Sequence, residues 1–272
     1  MLNMAQKFLV LASGVVSFLL MPLAAGAQND SLEFQMIHKG HGLSLHKETY
    51  MMPLTYSNEY SGIRTEAVFQ LSAKHQIFRT SFYFGYTQIS FWQAYDSEHS
   101  SPFRETNYNP ELFYRLKGYR FHGGKFGADI GAEHESNGQI PPVSRSWNLL
   151  YASPFYYRSN ILLYLKFRYR LPEDEKEFEN SPVGDDNPDI TDYLGYNDFH
   201  AFYRFLRHHM VHLTLRGSIV TGKGCAALNY SFLLPTGKVS YLNIRLFHGY
   251  GESLVDYNRK LTRIGVGLMF SR

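Results

Sequence analysis

Apolar and polar residues alternate along five stretches of the chain that are as long as membrane-crossing strands or longer. They are Phe78–Tyr95, Lys125–Ser136, Ile161–Leu171, Val239–Tyr250 and Leu261–Phe270. In the last stretch, one face carries Ile264, Val266, Leu268 and Phe270, and the other carries Arg263, Gly265 and Gly267. A period of two is expected where one face of a sheet meets lipid and the other meets a polar interior.

Turn-forming clusters rich in Gly, Pro, Asn, Asp and Ser separate these stretches. The longest and most acidic cluster, Glu173–Asp189, is predicted to be an exposed loop. Because a strand needs about ten residues to cross a bilayer at a tilt, the chain length predicts about ten to twelve strands. The predicted fold class is therefore all-β, a transmembrane antiparallel β-barrel of about 12 strands. A water-soluble β-sandwich is the alternative, but it would not need so much aromatic surface.

The beginning of the chain has the three parts of a cleaved secretory signal. Lys7 is the basic residue, an apolar run extends from Phe8 to Leu20, and small residues end the segment at Ala27. We expect residues 1–27 to be a signal peptide and residues 28–272 to form the barrel domain. A retained transmembrane anchor is the alternative, although the apolar run is short and interrupted for a spanning helix.

Composition narrows the class of exported protein. The chain has 21 Tyr and 21 Phe, one cysteine (Cys225) and a formal net charge of +3. One thiol cannot form an internal disulfide, and the small net charge does not indicate binding to nucleic acid. After the first segment, no apolar run reaches the length of a membrane helix. An aromatic-rich exported chain of this kind favours a transmembrane β-barrel.

One predicted strand ends in a histidine and a serine that share its apolar face. Alternation from Phe126 places His134 and Ser136 on the lipid side, because the opposite face carries carboxylates such as Glu133. A serine hydroxyl becomes a nucleophile when an adjacent base takes its proton, and that base needs a third group to fix its tautomer. Asn148 is the candidate third group. Ordinary polar residues at the membrane interface are the alternative, since the H-x-S pattern is weak.

Two further clusters have the residue types of metal sites but not the spacing. Asp185, Asn187 and Asp189 alternate as in a calcium loop, but Ile190 stands where an EF-hand needs glycine, and Tyr196 where it needs glutamate. His208, His209 and His212 have helical spacing in a segment that is predicted to be a strand. We therefore interpret these histidines as exposed turn residues.

Five sequence blocks occur in a specific order over roughly the last two thirds of the chain. They are Tyr86–Gln93, Ser100–Phe113, His134–Asn148, Asp185–Tyr196 and Gly249–Gly267. Together they resemble the outer-membrane phospholipase A family, calcium-dependent barrel enzymes of Gram-negative bacteria. The resemblance implies a barrel of twelve strands whose active site faces outward. The segment from Gln28 to about Lys74 carries no matching block.

The resemblance also implies the roles of individual residues. The H-x-S-N-G motif would supply His134 as the general base and Ser136 as the nucleophile, and the S-R-S-W-N motif would supply Asn148 to orient the histidine. An oxyanion-hole amide would come from Gly138.

Calcium and a homodimer are implied in the same way. The expected calcium ligands are the Ser100 and Gln139 carbonyls and the Ser144 hydroxyl, with the metal bound between two subunits. Gln88 would support the dimer interface. Pro141 departs from the family pattern, because it stands where an aspartate is common. A calcium site that needs that carboxylate is lost, whereas the Gln139 carbonyl is unaffected.

The sequence therefore predicts an outer-membrane phospholipase that acts on membrane phospholipids. It would hydrolyse sn-1 and sn-2 acyl esters of glycerophospholipids and lysophospholipids, with calcium as cofactor and activation by dimerisation. A non-catalytic porin-like or structural barrel is the alternative. An interior crowded with paired charges would argue against a channel.

Overall fold

Thirteen strands are found in the part of the chain that the structure, a computed structural model, describes. That part comprises residues 34, 36–37, 42–178, 180–206, 208–234 and 240–271, so the predicted signal peptide lies outside it. The strands are β1 Leu43–Ser44, β2 Thr49–Ser57, β3 Ala67–Gln76, β4 Phe82–Trp92, β5 Phe103–Phe121, β6 Gly124–Ser136, β7 Ser146–Arg158, β8 Ile161–Arg170, β9 Asn197–Phe205, β10 His209–Gly217, β11 Gly224–Leu233, β12 Tyr241–Gly249 and β13 Leu261–Ser271. A short helix, α1 Ile190–Leu194, precedes β9, and 3-10 turns occur at Gly62–Arg64 and Ser97–His99.

Strands β2 to β13 form a closed antiparallel barrel. Each pairs with the next along the chain, and β13 closes the sheet by pairing with β2, for example Val266 opposite Leu54. The two-residue β1 pairs only with β3. Twelve strands therefore make up the barrel within the described residues, as predicted. In the same residues, no helix is long and apolar enough to cross a membrane.

The two faces of each strand differ in the way that the alternation predicts. On β13 the inward residues Leu261, Arg263 and Gly265 are buried, whereas Ile264 and Val266 are exposed on the outside. The segments that join the strands also differ between the two ends of the barrel. Turns such as 122–123 and 159–160 are short, whereas 137–145, 171–196 and 250–260 at the other end are longer. This asymmetry is typical of outer-membrane barrels.

Paired charges fill the interior. Around the middle of the barrel, Glu111 pairs with Lys47 and Lys166, and Glu133 pairs with Lys166 and Arg168. Arg168 also pairs with Asp198, at 2.5 Å. A cavity of about 290 Å³ remains among these side chains. Such a network disfavours the porin-like alternative, because a conducting pore needs a continuous path of water.

Three described residues that precede the barrel, Phe34, Met36 and Ile37, lie in its interior. Phe34 and Met36 are buried against Phe155 and Phe202. The carbonyl of Met36 accepts hydrogen bonds from Lys74 at 2.6 Å and from Arg115 at 3.3 Å. These residues belong to no sequence block of the family resemblance, and in the structure they pack near the end of the barrel that has the short turns.

Breaking the interior network should cost more stability than breaking a pair at the surface. Arg263 is 2% exposed and binds Glu66 at 2.6 Å and Glu252 at 2.8 Å. We expect Arg263→Met to lower the free energy of unfolding by about 3–5 kcal/mol, because it leaves the buried Glu252 carboxylate without its arginine and leaves Glu66 with Arg104 alone. The measurement is equilibrium unfolding in detergent, followed by electrophoretic mobility.

Arg259→Met is the matched control. Arg259 is 61% exposed, and its nearest carboxylate, that of Asp256, lies 3.6 Å away. Its loss should cost less than about 1 kcal/mol. Equal destabilisation by the two variants would show that the interior pairs contribute no more than surface pairs.

Candidate active site

Antiparallel pairing of β6 with β7 brings His134 directly opposite Asn148. The Nδ1 atom of His134 lies 2.8 Å from Oδ1 of Asn148. Because an amide oxygen can only accept, Nδ1 must carry the proton, which leaves Nε2 free to accept one. The structure thus brings together two residues that are fourteen positions apart, in the relation that a base and its orienting group require.

His134 and Ser136 lie on the outer face of β6. The same face carries Phe126 and Ile130, which are 45% and 51% exposed. On the opposite face Glu133 is buried and paired with Lys166. The pair therefore faces the membrane, close to the end of the barrel that has the long loops.

Tyr108 on β5 lies beside the serine. It is the cross-strand partner of Ser136 on one side and of Gln88 on the other. Gly138 follows in the loop 137–145 with a φ of +64°, a conformation that glycine adopts without steric cost. A β-carbon at Gly138 would also lie 3.2 Å from the Tyr108 ring. The backbone conformation thus favours glycine here, and a larger residue would also press against the Tyr108 ring.

Asn137 holds the loop 137–145 in shape, a role that the sequence analysis missed. Its side-chain oxygen accepts hydrogen bonds from the amides of Arg145 at 2.9 Å and Gln139 at 3.3 Å. Its amide group donates to the Val143 carbonyl at 2.8 Å. The only sequence signal was its position before Gly138, where Asn-Gly is typical of a turn.

The carboxyl end of the acidic loop packs against this site, so the prediction of an exposed loop over Glu173–Asp189 is wrong there. Asn187 is fully buried and accepts the Ser146 amide at 3.0 Å. The Ser144 hydroxyl donates to Asp186 at 2.6 Å, and Lys176 pairs with the same carboxylate. The high charge of the loop predicted that it is exposed to solvent, but the Asp186 carboxylate is held by the Ser144 hydroxyl and by Lys176.

Asn148 has a second partner, which the sequence analysis also missed. Its side-chain amide donates to Oε1 of Glu173 at 3.1 Å. Glu173 comes shortly after β8, where the chain leaves the barrel. It was part of the loop that was predicted to be exposed, and nothing in its local sequence marks it as a partner of Asn148.

The loop 250–260 is joined to the acidic loop through a tyrosine. The Tyr257 hydroxyl donates a hydrogen bond to Asp189. Burial, followed by this hydrogen bond, raises the pKa of Tyr257. Ile190 and Leu194 of α1 pack with Trp147 and Tyr257 beneath these loops.

The predicted calcium ligands lie in two loops at this end of the barrel. Gln139 and Ser144 belong to the loop 137–145, and Ser100 lies between β4 and β5 with a φ of +63°. Within the described residues, no group of three or more His, Cys, Asp or Glu side chains is arranged to hold a metal. The predicted donors are carbonyl and hydroxyl oxygens, which suit calcium, and Asp186 is within hydrogen-bond distance of the Ser144 hydroxyl. By the type of their donor atoms, these residues suit a calcium ion.

Gln88 lies on the outer face of β4. Its side chain accepts from the Tyr86 hydroxyl at 3.0 Å and donates to Ser90 at 3.1 Å. Ser90 in turn bonds to Thr106 at 3.0 Å. These residues form a polar row among outward aromatic residues such as Phe84.

The interpretation of the three neighbouring histidines as exposed turn residues is confirmed for His208, which lies exposed in the turn before β10, and wrong for the other two. His209 and His212 belong to β10 and face opposite sides of it. His212 is buried in the barrel, where it lies 2.9 Å from Glu48, and His209 lies 2.7 Å from the Tyr230 hydroxyl. Residues 209 and 212 are an odd number of positions apart, so their side chains point to opposite faces of β10.

Comparison with known proteins shows the family of this chain. The profile of the Phospholipase A1 family matches residues 28–270. The chain belongs to this family. A putative phospholipase A1 of Neisseria meningitidis is 37% identical over 258 residues, which cover 85% of this chain and 65% of that protein. The match thus spans just under two thirds of the Neisseria relative's length.

Solved structures of the phospholipase A1 family share the fold. The outer membrane phospholipase A of Escherichia coli superimposes with a TM-score of 0.75 at 34% identity, covering 84% of this chain and 98% of that chain. The Salmonella typhi outer membrane phospholipase dimer with bound calcium gives 0.74 at 34% identity, covering 84% of this chain and 92% of that chain. The predicted family, barrel fold and outer-membrane location are confirmed.

Proposed function

We propose that this chain is a calcium-dependent outer-membrane phospholipase. It would hydrolyse the sn-1 and sn-2 acyl esters of glycerophospholipids and the remaining ester of lysophospholipids. The observation that carries the proposal is the contact of 2.8 Å between His134 and Asn148 on the membrane-facing surface. His134 is two positions before Ser136 on the same face of β6. Phospholipid esters are the substrates that such a surface meets.

The reaction would proceed through an acyl-enzyme. Ser136 Oγ attacks the ester carbonyl carbon while His134 Nε2 takes its proton. The imidazolium then gives this proton to the departing lysophospholipid oxygen as the carbon–oxygen bond breaks. Water, activated by His134 in the same way, releases the fatty acid from Ser136. Asn148 holds the ring throughout and accepts the Nδ1 hydrogen bond.

The tetrahedral intermediate carries an oxyanion that needs donors. The amide of Gly138 lies two residues after the nucleophile, in a loop that Asn137 holds in one shape. A donor that is already in place costs no reorganisation during the reaction. Calcium, when bound by Gln139, Ser144 and Ser100 of a second copy, would supply positive charge near this oxyanion.

Dimerisation is supported by the place of Gln88. The pairs Gln88–Tyr108 and Tyr108–Ser136 put the polar row and the nucleophile in one line across three neighbouring strands. Adjacent strands are about 4.8 Å apart, so Gln88 and Ser136 are about 10 Å apart along the surface. A second copy docked symmetrically on Gln88 would lie next to the site. Because the site would be complete only in the dimer, a single copy would not hydrolyse the membrane that holds it.

The proposed triad is tested by single substitutions assayed on mixed phospholipid micelles. We expect Ser136→Ala and His134→Ala to lower kcat by more than about 10⁴-fold, because they remove members of one catalytic unit. Asn148→Ala should lower kcat less, on the order of 10²-fold, since a neutral orienting group stabilises the imidazolium only weakly. Full hydrolysis by Ser136→Ala, with all variants folded, would refute the assignment. An Asn148→Ala loss as large as that of Ser136→Ala would refute the ranking.

Metal removal tests the calcium site. Activity should disappear in a chelator and return with calcium but not with magnesium, which keeps its water ligands more tightly. Ser144→Ala should raise the calcium concentration for half-activity by about tenfold, or about 1.4 kcal/mol. Ser144→Thr keeps the hydroxyl and is the control. Undiminished turnover in chelator would exclude a role for calcium.

The dimer is tested by following association and activity together at increasing calcium. Gln88→Leu should weaken association by roughly fivefold, because a polar contact in the membrane is worth about 1 kcal/mol. His248→Leu is the control, since His248 is an exposed residue of β12, four strands away from β4. Full activity from a species shown to be monomeric would contradict activation by dimerisation.

A further inference from the structure

A chain of side-chain contacts runs from the histidine to a carboxylate. His134 Nδ1 lies 2.8 Å from Asn148 Oδ1, and Asn148 Nδ2 lies 3.1 Å from Glu173 Oε1. We propose that Glu173 is a positioning residue, which sets the orientation of the Asn148 amide and thereby the tautomer of His134. This inference rests on the proposed function.

The need for such a residue follows from the shape of an asparagine side chain. Its carbonyl and amino ends are nearly equal in size, so the group can turn by 180° at little steric cost. Turned around, Asn148 would present an amino group to His134 Nδ1. That nitrogen would then be the acceptor, and Nε2 would carry the proton. A histidine in this tautomer has no lone pair with which to take the proton of Ser136.

A carboxylate removes this ambiguity. Glu173, when ionised, only accepts hydrogen bonds, so it must face the amino end of Asn148. The carbonyl end is then turned towards His134, which selects the Nδ1–H tautomer. Glu173 also places a negative charge beyond the amide, where it stabilises the imidazolium that forms during the reaction. An aspartate in the place of Asn148 would supply both effects directly, whereas here two residues share them.

The backbone around Glu173 is held in place on several sides. The Leu171 amide donates to the carbonyl of Asn148 itself at 2.9 Å. The Asp174 carbonyl accepts the Asp185 amide at 2.7 Å, and the Asp185 side chain binds Arg170 at 2.6 Å. The start of the loop is thus tied to the strand that carries Asn148. A half-buried glutamate on such a frame presents its carboxylate in one place.

The test compares Glu173→Gln in two backgrounds, with kcat and KM measured separately on detergent-dispersed phospholipid. In the parent, Glu173→Gln should lower kcat about tenfold with little change in KM, because glutamine can offer either end of its amide. In Asn148→Asp, the carboxylate of Glu173 faces a second carboxylate. Removing its charge there should raise kcat, since like charges no longer repel.

A merely structural role for Glu173 cannot make the same substitution lower kcat in the parent and raise it in Asn148→Asp. A variant that only loosened the loop would lower activity in both backgrounds by the same factor. Glu175→Gln, an exposed neighbour in the same loop, is the matched control and should leave kcat unchanged in both backgrounds. Heat-modifiable electrophoretic mobility verifies that every variant is a folded barrel.

The possible failures are distinguishable. An active parent, an inactive Ser136→Ala and an unchanged kcat in Glu173→Gln would overturn the positioning role alone. The same factor of loss in both backgrounds would also overturn it. No hydrolysis by the parent, or full activity of Ser136→Ala, would overturn the proposed function and this inference with it.

Discussion

The site depends on the burial of Glu133 inside the barrel. Its carboxylate binds Lys166 at 2.5 Å and Arg168 at 2.9 Å, and these two also hold Glu111 and Asp198. A shift of β6 by one residue would turn Glu133 towards lipid and His134 towards the interior. Because an unpaired charge in lipid is costly, the interior network holds the register that keeps His134 and Ser136 outside.

An outward polar site is itself a cost that the fold has to offset. His134 and Asn148 satisfy each other across one strand pair, and Glu173 satisfies the free end of the asparagine. The same principle applies to the row of Tyr86, Gln88 and Ser90, in which each side chain bonds to the next. Polar groups on the outer surface of this barrel are thus linked to one another, which lowers the cost of placing them near lipid.

The long loops add to the site what the strands cannot supply. Strand pairing places His134, Ser136 and Asn148, all on β6 and β7. The loop 137–145 brings the Gly138 amide, and its shape depends on Asn137 and on contacts with Asp186 and Asn187. Asp186 is the carboxylate that lies next to Ser144, whose hydroxyl donates to it. The calcium-binding proposal therefore relies on an acidic loop that folds back onto the site.

The sequence by itself determined the barrel and the direction of its site. A period of two is a local property, so the outward position of His134 and Ser136 follows from counting along β6. The order of five blocks identified the family, and the family comparison supports it. The boundaries of β13 and β8 agree with the predicted stretches to within a residue.

Only the tertiary structure decided which distant groups meet. The contact of Asn148 with Glu173, the hub at Asn137 and the burial of Asn187 and His212 involve partners far apart in the chain or depend on how a loop folds back. Local composition predicted the opposite for the last two, because acidic and histidine-rich segments are usually exposed. Hydrogen bonds of this kind are set by strand register and loop path, and neither leaves a periodic pattern in the sequence.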